Sequence, residues 1–164
     1  MQVLKILDNL RTVCNHNNVD YELFRDSISL KTANSGVAEY GIQLAEAAPT
    51  LVIKADMGIL AVIIRGDTKI SFKKLRAFLN MTRIRLAKSE EIYHLTGSKI
   101  GYVSLVNEGI KTLIDKKVVE NQYVYGGCGI NNYTLKIKVT DLIKVTHATI
   151  ADFTYLKTNS NESG

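Results

Sequence analysis

Apolar residues recur at helical spacing through Val3, Leu4, Ile6, Leu7, Leu10, Val13 and Cys14, so the chain opens on an amphipathic helix. Asn15 to Asn18 favour a turn and end it. The pattern then becomes that of a strand over Val19 to Arg25, with Tyr21, Leu23 and Phe24 as its apolar surface. Thr32 is placed to cap a short helix through Val37, Ala38 and Tyr40 that stops at Gly41. Two apolar, β-branched stretches follow, Thr50 to Ala55 and Ile59 to Arg65, joined by a turn at Asp56-Met57-Gly58. The second is apolar almost throughout, as expected of a central strand covered on both faces.

Gly66-Asp67 turns the chain again. Ser71 then caps a helix that buries Phe72, Leu75, Phe78 and Leu79 and turns Lys73, Lys74 and Arg76 to water. Arg83 to Leu86 alternates as a strand does, and Ser89-Glu90-Glu91 starts another helix with acids at its positive end. Gly97 ends that helix and opens a loop to Gly101. Further strands are predicted at Thr112 to Ile114, Gln122 to Tyr125 and Tyr133 to Val139. Gly126-Gly127-Cys128-Gly129 joins the last two as a hairpin with positive φ angles. Thr140 caps a short helix over Asp141 to Val145, and Thr149 to Phe153 makes a final strand. The result is a single α+β domain over residues 1–156, a mixed, barrel-like β-sheet flanked by helices. Residues 157–164, polar and rich in Asn and Ser, read as a disordered tail.

Composition narrows the function. The 164 residues, 46% of them hydrophobic, suffice for one real core, and no apolar run is long enough to cross a bilayer. Met1 to Ile6 mixes charge into its apolar positions and is no secretory signal, so a cytoplasmic protein without a membrane partner is expected. A net charge of +5 favours an anionic partner, nucleic acid foremost, although scattered basic residues fit a solvated surface equally well. Cys14 and Cys128 form no metal-binding spacing, and reduced thiols are expected. His16, His94 and His147 form no metal motif either, so no metal site is expected.

One ordered set of motifs says more. Pro49-Thr50-Leu51-Val52-Ile53-Lys54 is followed by Arg65-Gly66-Asp67, then by Leu86-Ala87-Lys88-Ser89-Glu90-Glu91. Leu95-Thr96-Gly97, Gly101, Val103-Ser104, Ile114-Asp115, Gly126 to Gly129 and Thr140-Asp141-Leu142 come next. From about Tyr21 to Phe153 this order resembles the YbaK-like family of aminoacyl-tRNA editing domains. That family includes the insertion domain of bacterial prolyl-tRNA synthetases and free-standing relatives that deacylate mischarged tRNA in trans. The resemblance implies hydrolysis of the ester between an amino acid and the 3′-terminal adenosine, without metal or organic cofactor. It implies the aminoacylated acceptor end of tRNA as partner and admits an aminoacyl-tRNA synthetase as another. The amino acid, the tRNA and the oligomeric state are not legible.

The same resemblance selects the site. Gly97 and Gly101 match the family's glycine loop, whose backbone N–H groups can hold an oxyanion, though the pair could equally cap a helix and shape a turn. Tyr21, Pro49, Thr50, Ser104, Gly127 and Gly129 are the implied substrate-binding positions. Two departures stand out: Pro49 occupies the position of a family lysine, and Leu105 follows Ser104 where many relatives have proline. Lys54 lies five positions along the strand and faces away, so Lys99 in the glycine loop is the more plausible, though still weak, stand-in cation. Cys128 has no histidine beside it and is a poor nucleophile. Asp115 reads equally as a site carboxylate or a strand end. Lys69, Lys73, Lys74, Arg76, Arg83 and Arg85 are candidate tRNA contacts. Two alternatives remain: a binding module that kept the fold but lost its chemistry with the lysine, and a small structural protein with incidental charge.

Overall fold

The two apolar stretches form the central hairpin: β2 (Thr50–Ala55) pairs antiparallel with β3 (Gly58–Ile63), Thr50 opposite Ile63. The computed structural model describes residues 2–27 and 32–158. β5 (Ile84–Leu86) extends this sheet beyond β2. β6 (Lys111–Asp115) and β9 (Thr149–Ala151) run parallel to β3 on its other side, giving the order β5-β2-β3-β6-β9. A second, antiparallel sheet has the order β1 (Tyr21–Arg25), β8 (Tyr133–Lys138), β7 (Tyr123–Gly127). β4 (Thr68–Ile70) pairs with β10 (Thr154–Leu156), and a parallel bridge between Ala47 and Tyr125 links the two larger sheets. The α+β class and the mixed sheet agree with expectation. With the strands divided among three sheets, the barrel-like description fits only loosely.

Helices cover these sheets with the apolar faces their spacing predicts. α1 (Gln2–His16) sets Leu7, Leu10 and Cys14 into a core shared with Leu135, Ile137 and, from α5 (Val139–Thr146), Leu142. α3 (Phe72–Leu79) packs Leu75 with Ile53, Leu113 and Phe153. α4 (Ser89–Thr96) packs Ile92 with Val52, Ala87 and Val103. Each such side chain contributes about 1.5–3 kcal/mol by leaving water. α2 (Ala33–Tyr40) differs, because it has no buried residue.

The caps follow the sequence closely. Thr32 accepts from the Ser35 N–H and Gly41 closes α2 at φ 64°, while Ser71 accepts from the Lys74 N–H at the start of α3. Several details differ. Thr140 lies inside α5, which starts at Val139, because the Val139 N–H is already held by the Gln122 carbonyl at 2.9 Å. Gly126 and Gly127 belong to β7, and within Gly126 to Gly129 only Gly129 has a positive φ, 103°. Phe78 is exposed rather than buried. The final strand stops at Ala151, and the short β4–β10 pair was not foreseen. Lys157, expected to begin the tail, donates its N–H to Asp67 at 2.9 Å; residues 159–164 lie outside the described residues.

Asp115 is a fastening rather than a site carboxylate. It is fully buried; its Oδ1 accepts from the Phe153 N–H at 2.8 Å, and its Oδ2 from the Lys117 N–H at 3.0 Å and the Thr154 hydroxyl at 2.9 Å. Asp115→Ala would leave three donors without their acceptor. A loss of about 3 kcal/mol is expected, read as a lower urea midpoint. An unchanged midpoint would remove Asp115 from the folding account.

Candidate active site

Segments far apart in sequence meet at one open cleft of about 580 Å³, mouth included. Ala47, Ala48 and Pro49 line it on the approach to β2, and Gly126 and Gly127 line it at the end of β7. Gly101 and Tyr102 come from the glycine loop. α2 adds Ala33, Gly36 and Tyr40, whose spacing of three and four residues places them on one helical face.

Backbone bonds hold these segments in register. The Ala48 N–H donates to the Tyr125 carbonyl at 2.8 Å, and the Leu105 N–H donates to the Gly127 carbonyl at 2.9 Å. The end of β7 is thus laced to both the Pro49 segment and the glycine-loop segment. Close approach demands glycine here. A Cβ at Gly126 would meet the Ala48 carbonyl oxygen at 2.8 Å, and one at Gly127 would overlap the Val103 carbonyl oxygen.

Aromatic rings pack beside the cleft. Phe24, Tyr40 and Tyr125 lie with centroids 5.6 to 6.4 Å apart, and Lys136 Nζ sits 5.5 Å from the Tyr125 ring centre. The Tyr40 hydroxyl donates to Asp26 Oδ1, which also accepts from the Thr134 hydroxyl at 2.7 Å. Burial, then the bond to Asp26, pushes the Tyr40 phenol well above its ordinary pKa. It therefore acts as a fixed donor and not as a base.

No charged side chain lines the cleft among the described residues. Hydroxyls and backbone groups are the polar groups that these residues offer. Gly101 is held at φ 92°, and its N–H donates to no described residue. Such a donor suits an oxyanion.

Of the residues singled out from the sequence, Pro49, Gly101 and Gly127 line the cleft together. Gly97 sits at the C-cap of α4 with φ 75°, its N–H bonded to the Tyr93 carbonyl at 2.8 Å. Thr50 lies one residue inside β2, its Oγ1 buried without a hydrogen-bond partner. Tyr21 packs half-buried against the main core. Ser104 accepts the Val106 N–H on its Oγ at 3.0 Å and shares with Gly129 a separate groove beside α1. Lys99 lines a shallow groove next to the cleft, while Lys54 shares another with Arg83 and Arg85.

The cysteines are inert. Burial raises both thiols, Cys14 to about 11 with Asp141 adding to the effect. Tyr40, Tyr102, Tyr125, Tyr133 and Thr134 line the cleft without having been selected from the sequence. Adjacency to Gly101 could have flagged Tyr102. The others depend on the pairing of β1 with β8 and on where α2 lies, which no local pattern reveals.

The family profile described as aminoacyl-tRNA editing domain matches residues 29–145. Proline--tRNA ligase of Caldicellulosiruptor bescii is 29% identical over 127 residues, 72% of this chain and 22% of that protein. That of Aquifex aeolicus is 36% identical over 78 residues, 43% and 14% of the two chains. The chain spans about a fifth of the length of such curated relatives. Among solved structures, a hypothetical protein superposes with a TM-score of 0.83 at 25% identity, covering 89% of this chain and 99% of that one. A candidate trans-editing enzyme for prolyl tRNA synthetase shares the fold, with a TM-score of 0.81 at 19% identity over 92% and 97% of the two chains. The profile takes in most of the sequence, including every segment that lines the cleft, and the chain belongs to the aminoacyl-tRNA editing domain family.

Proposed function

We propose that this protein hydrolyses the ester joining a wrong amino acid to the 3′-terminal adenosine of tRNA, acting as a deacylase in trans. The observation that carries the reading is the convergence of Pro49, Gly101 and Gly127 on one cleft, where no described residue accepts the Gly101 N–H. Water adds to the ester carbonyl carbon, and its proton passes through solvent, or is relayed by the neighbouring ribose hydroxyl, to the ribose oxygen that leaves. The oxygen that becomes negative accepts from the Gly101 N–H, and collapse frees the amino acid and the ribose hydroxyl. Gly127 keeps β7 close enough for the glycine loop to hold its place.

The direct test is release of amino acid from alanyl-, cysteinyl-, seryl- and prolyl-tRNA. At least one is expected to be hydrolysed. Gly101→Val should cut that rate by about a hundredfold in a variant that still unfolds cooperatively. A β-branched residue at positive φ is strained and blocks the approach of the ester. Full activity in a folded Gly101→Val variant would overturn the loop's role. Binding should also weaken with salt, as phosphate contacts require. Lys69, Lys73, Arg76 and Arg83 are exposed candidates for those contacts, while Lys74 and Arg85 already pair with Asp152 at 3.2 Å and Glu91 at 2.8 Å. Salt-independent binding would remove nucleic acid as the partner.

A second reading, a module that binds aminoacyl-tRNA without hydrolysing it, draws on the lack of charge lining the cleft among the described residues. Tight binding with no release of amino acid from any of the four tRNAs would favour it.

A further inference from the structure

The cleft has a neighbour. Tyr102 lines both the cleft and a shallow groove formed with Tyr93, Lys99, Ile100, Ser89 and Glu90. Two of its apolar side chains stand largely in water: Tyr93 is 48% exposed and Ile100 49%. Tyr93 takes part in none of the ring contacts among the described residues, which gather around Phe24, Tyr40, Tyr123 and Tyr125. Its backbone is nevertheless fixed, because its carbonyl accepts the Gly97 N–H that closes α4 and opens the glycine loop. A ring carried on a fixed helix end yet left half exposed adds little to folding.

We propose that this groove is a nucleobase platform, on which the base next to the terminal adenosine of a single-stranded 3′ end stacks against Tyr93. The proposal rests on the editing reading for what enters the cleft; the groove's own chemistry selects the ligand class. Glu90 and Lys99 carry opposite charges, so the groove is neutral overall and matches an uncharged base better than a phosphate. Aromatic faces hold bases of single strands with little regard to sequence. Continuity favours a nucleic acid over a protein segment. A nucleotide covalently attached to one seated in the cleft can reach the groove across the Tyr102 wall that both share.

The chain contains no tryptophan, so Tyr93→Trp installs a single reporter that can still stack. Titration with an oligonucleotide ending in CCA should quench its fluorescence. The same oligonucleotide with an abasic site before the terminal adenosine should bind roughly tenfold more weakly. In deacylation, Tyr93→Ala should raise KM for aminoacyl-tRNA roughly tenfold more than KM for 3′-aminoacyl-adenosine, which lacks that base. Tyr93→Phe should restore the lost affinity.

Equal affinity for the intact and abasic oligonucleotides, or binding without quenching, overturns the platform while leaving the editing reading intact. Self-association in sedimentation that Tyr93→Ala abolishes would overturn it in favour of a protein interface. Quenching and base-dependent binding without hydrolysis of any aminoacyl-tRNA would support the platform and sink the catalytic reading. Absence of both binding and hydrolysis sinks both.

Discussion

Gly127→Ala is expected to lower stability by about 3 kcal/mol and to abolish deacylation, although it adds only one methyl group. The added carbon would overlap the Val103 carbonyl oxygen and crowd the Val103 carbonyl carbon at 3.1 Å and the Tyr102 oxygen at 3.2 Å. All three are backbone atoms, so no rotamer change relieves the overlap. The segment from Tyr102 to Leu105 has to retreat, which breaks the bond from the Leu105 N–H to the Gly127 carbonyl at 2.9 Å. Gly101 moves with it, and the donor proposed for the ester leaves its place. Urea unfolding and amino-acid release measured on the same preparation check both halves. A variant with parental stability and activity would show that the glycine loop is not pinned to β7.

Pro49→Lys is expected to act in the opposite direction, raising deacylation of at least one aminoacyl-tRNA about tenfold or more, or changing which is preferred. Pro49 lines the cleft immediately before β2, and no ladder bond depends on an N–H there. Its carbonyl, which accepts from the Ile64 N–H at 3.1 Å, is unaffected by the exchange. The fold should therefore persist, with a loss of about 0.4–1 kcal/mol from a freer unfolded chain. The new ammonium would join a cleft that no charged side chain lines among the described residues, and there it would stabilise the negative charge that develops on the ester. Initial rates on alanyl-, cysteinyl-, seryl- and prolyl-tRNA, wild type beside variant, measure the effect. A fast wild type and a folded but slower lysine variant would show that proline belongs to a working site.

Local features were legible because their causes are local. Thr32 and Gly41 bracket α2, Ser71 starts α3 and Gly97 stops α4, each through a side-chain acceptor or a positive φ that the residue type announces. The β2–β3 hairpin followed from two β-branched runs around Asp56-Met57-Gly58. What was missed depends on distant partners. β4 is three residues long and exists through pairing with β10, some eighty positions later. Thr140 looked like a cap, but the reach of Val139 to Gln122 moved the helix start. The site divided in the same way. Pro49, Gly101 and Gly127 could be placed by their order along a familiar pattern. Tyr40 and Thr134 could not, since both meet at a buried carboxylate, Asp26, nor could Tyr125, which the β7–β8 register brings beside them.

The helix without a fully buried residue has an evolutionary consequence. The Ala48 and Leu105 segments are tied to β7 by main-chain bonds, and at Gly126 and Gly127 clashes forbid a side chain, so mutation there endangers the whole domain. α2 faces the same cleft with Ala33 and Gly36, and a Cβ at Gly36 would meet nothing within 4 Å. Drift along that face can reshape what the cleft accepts while the fold survives each step. Under the editing reading, a change in the amino acid accepted can thus come by way of this helix, before the glycines of β7 are free to vary.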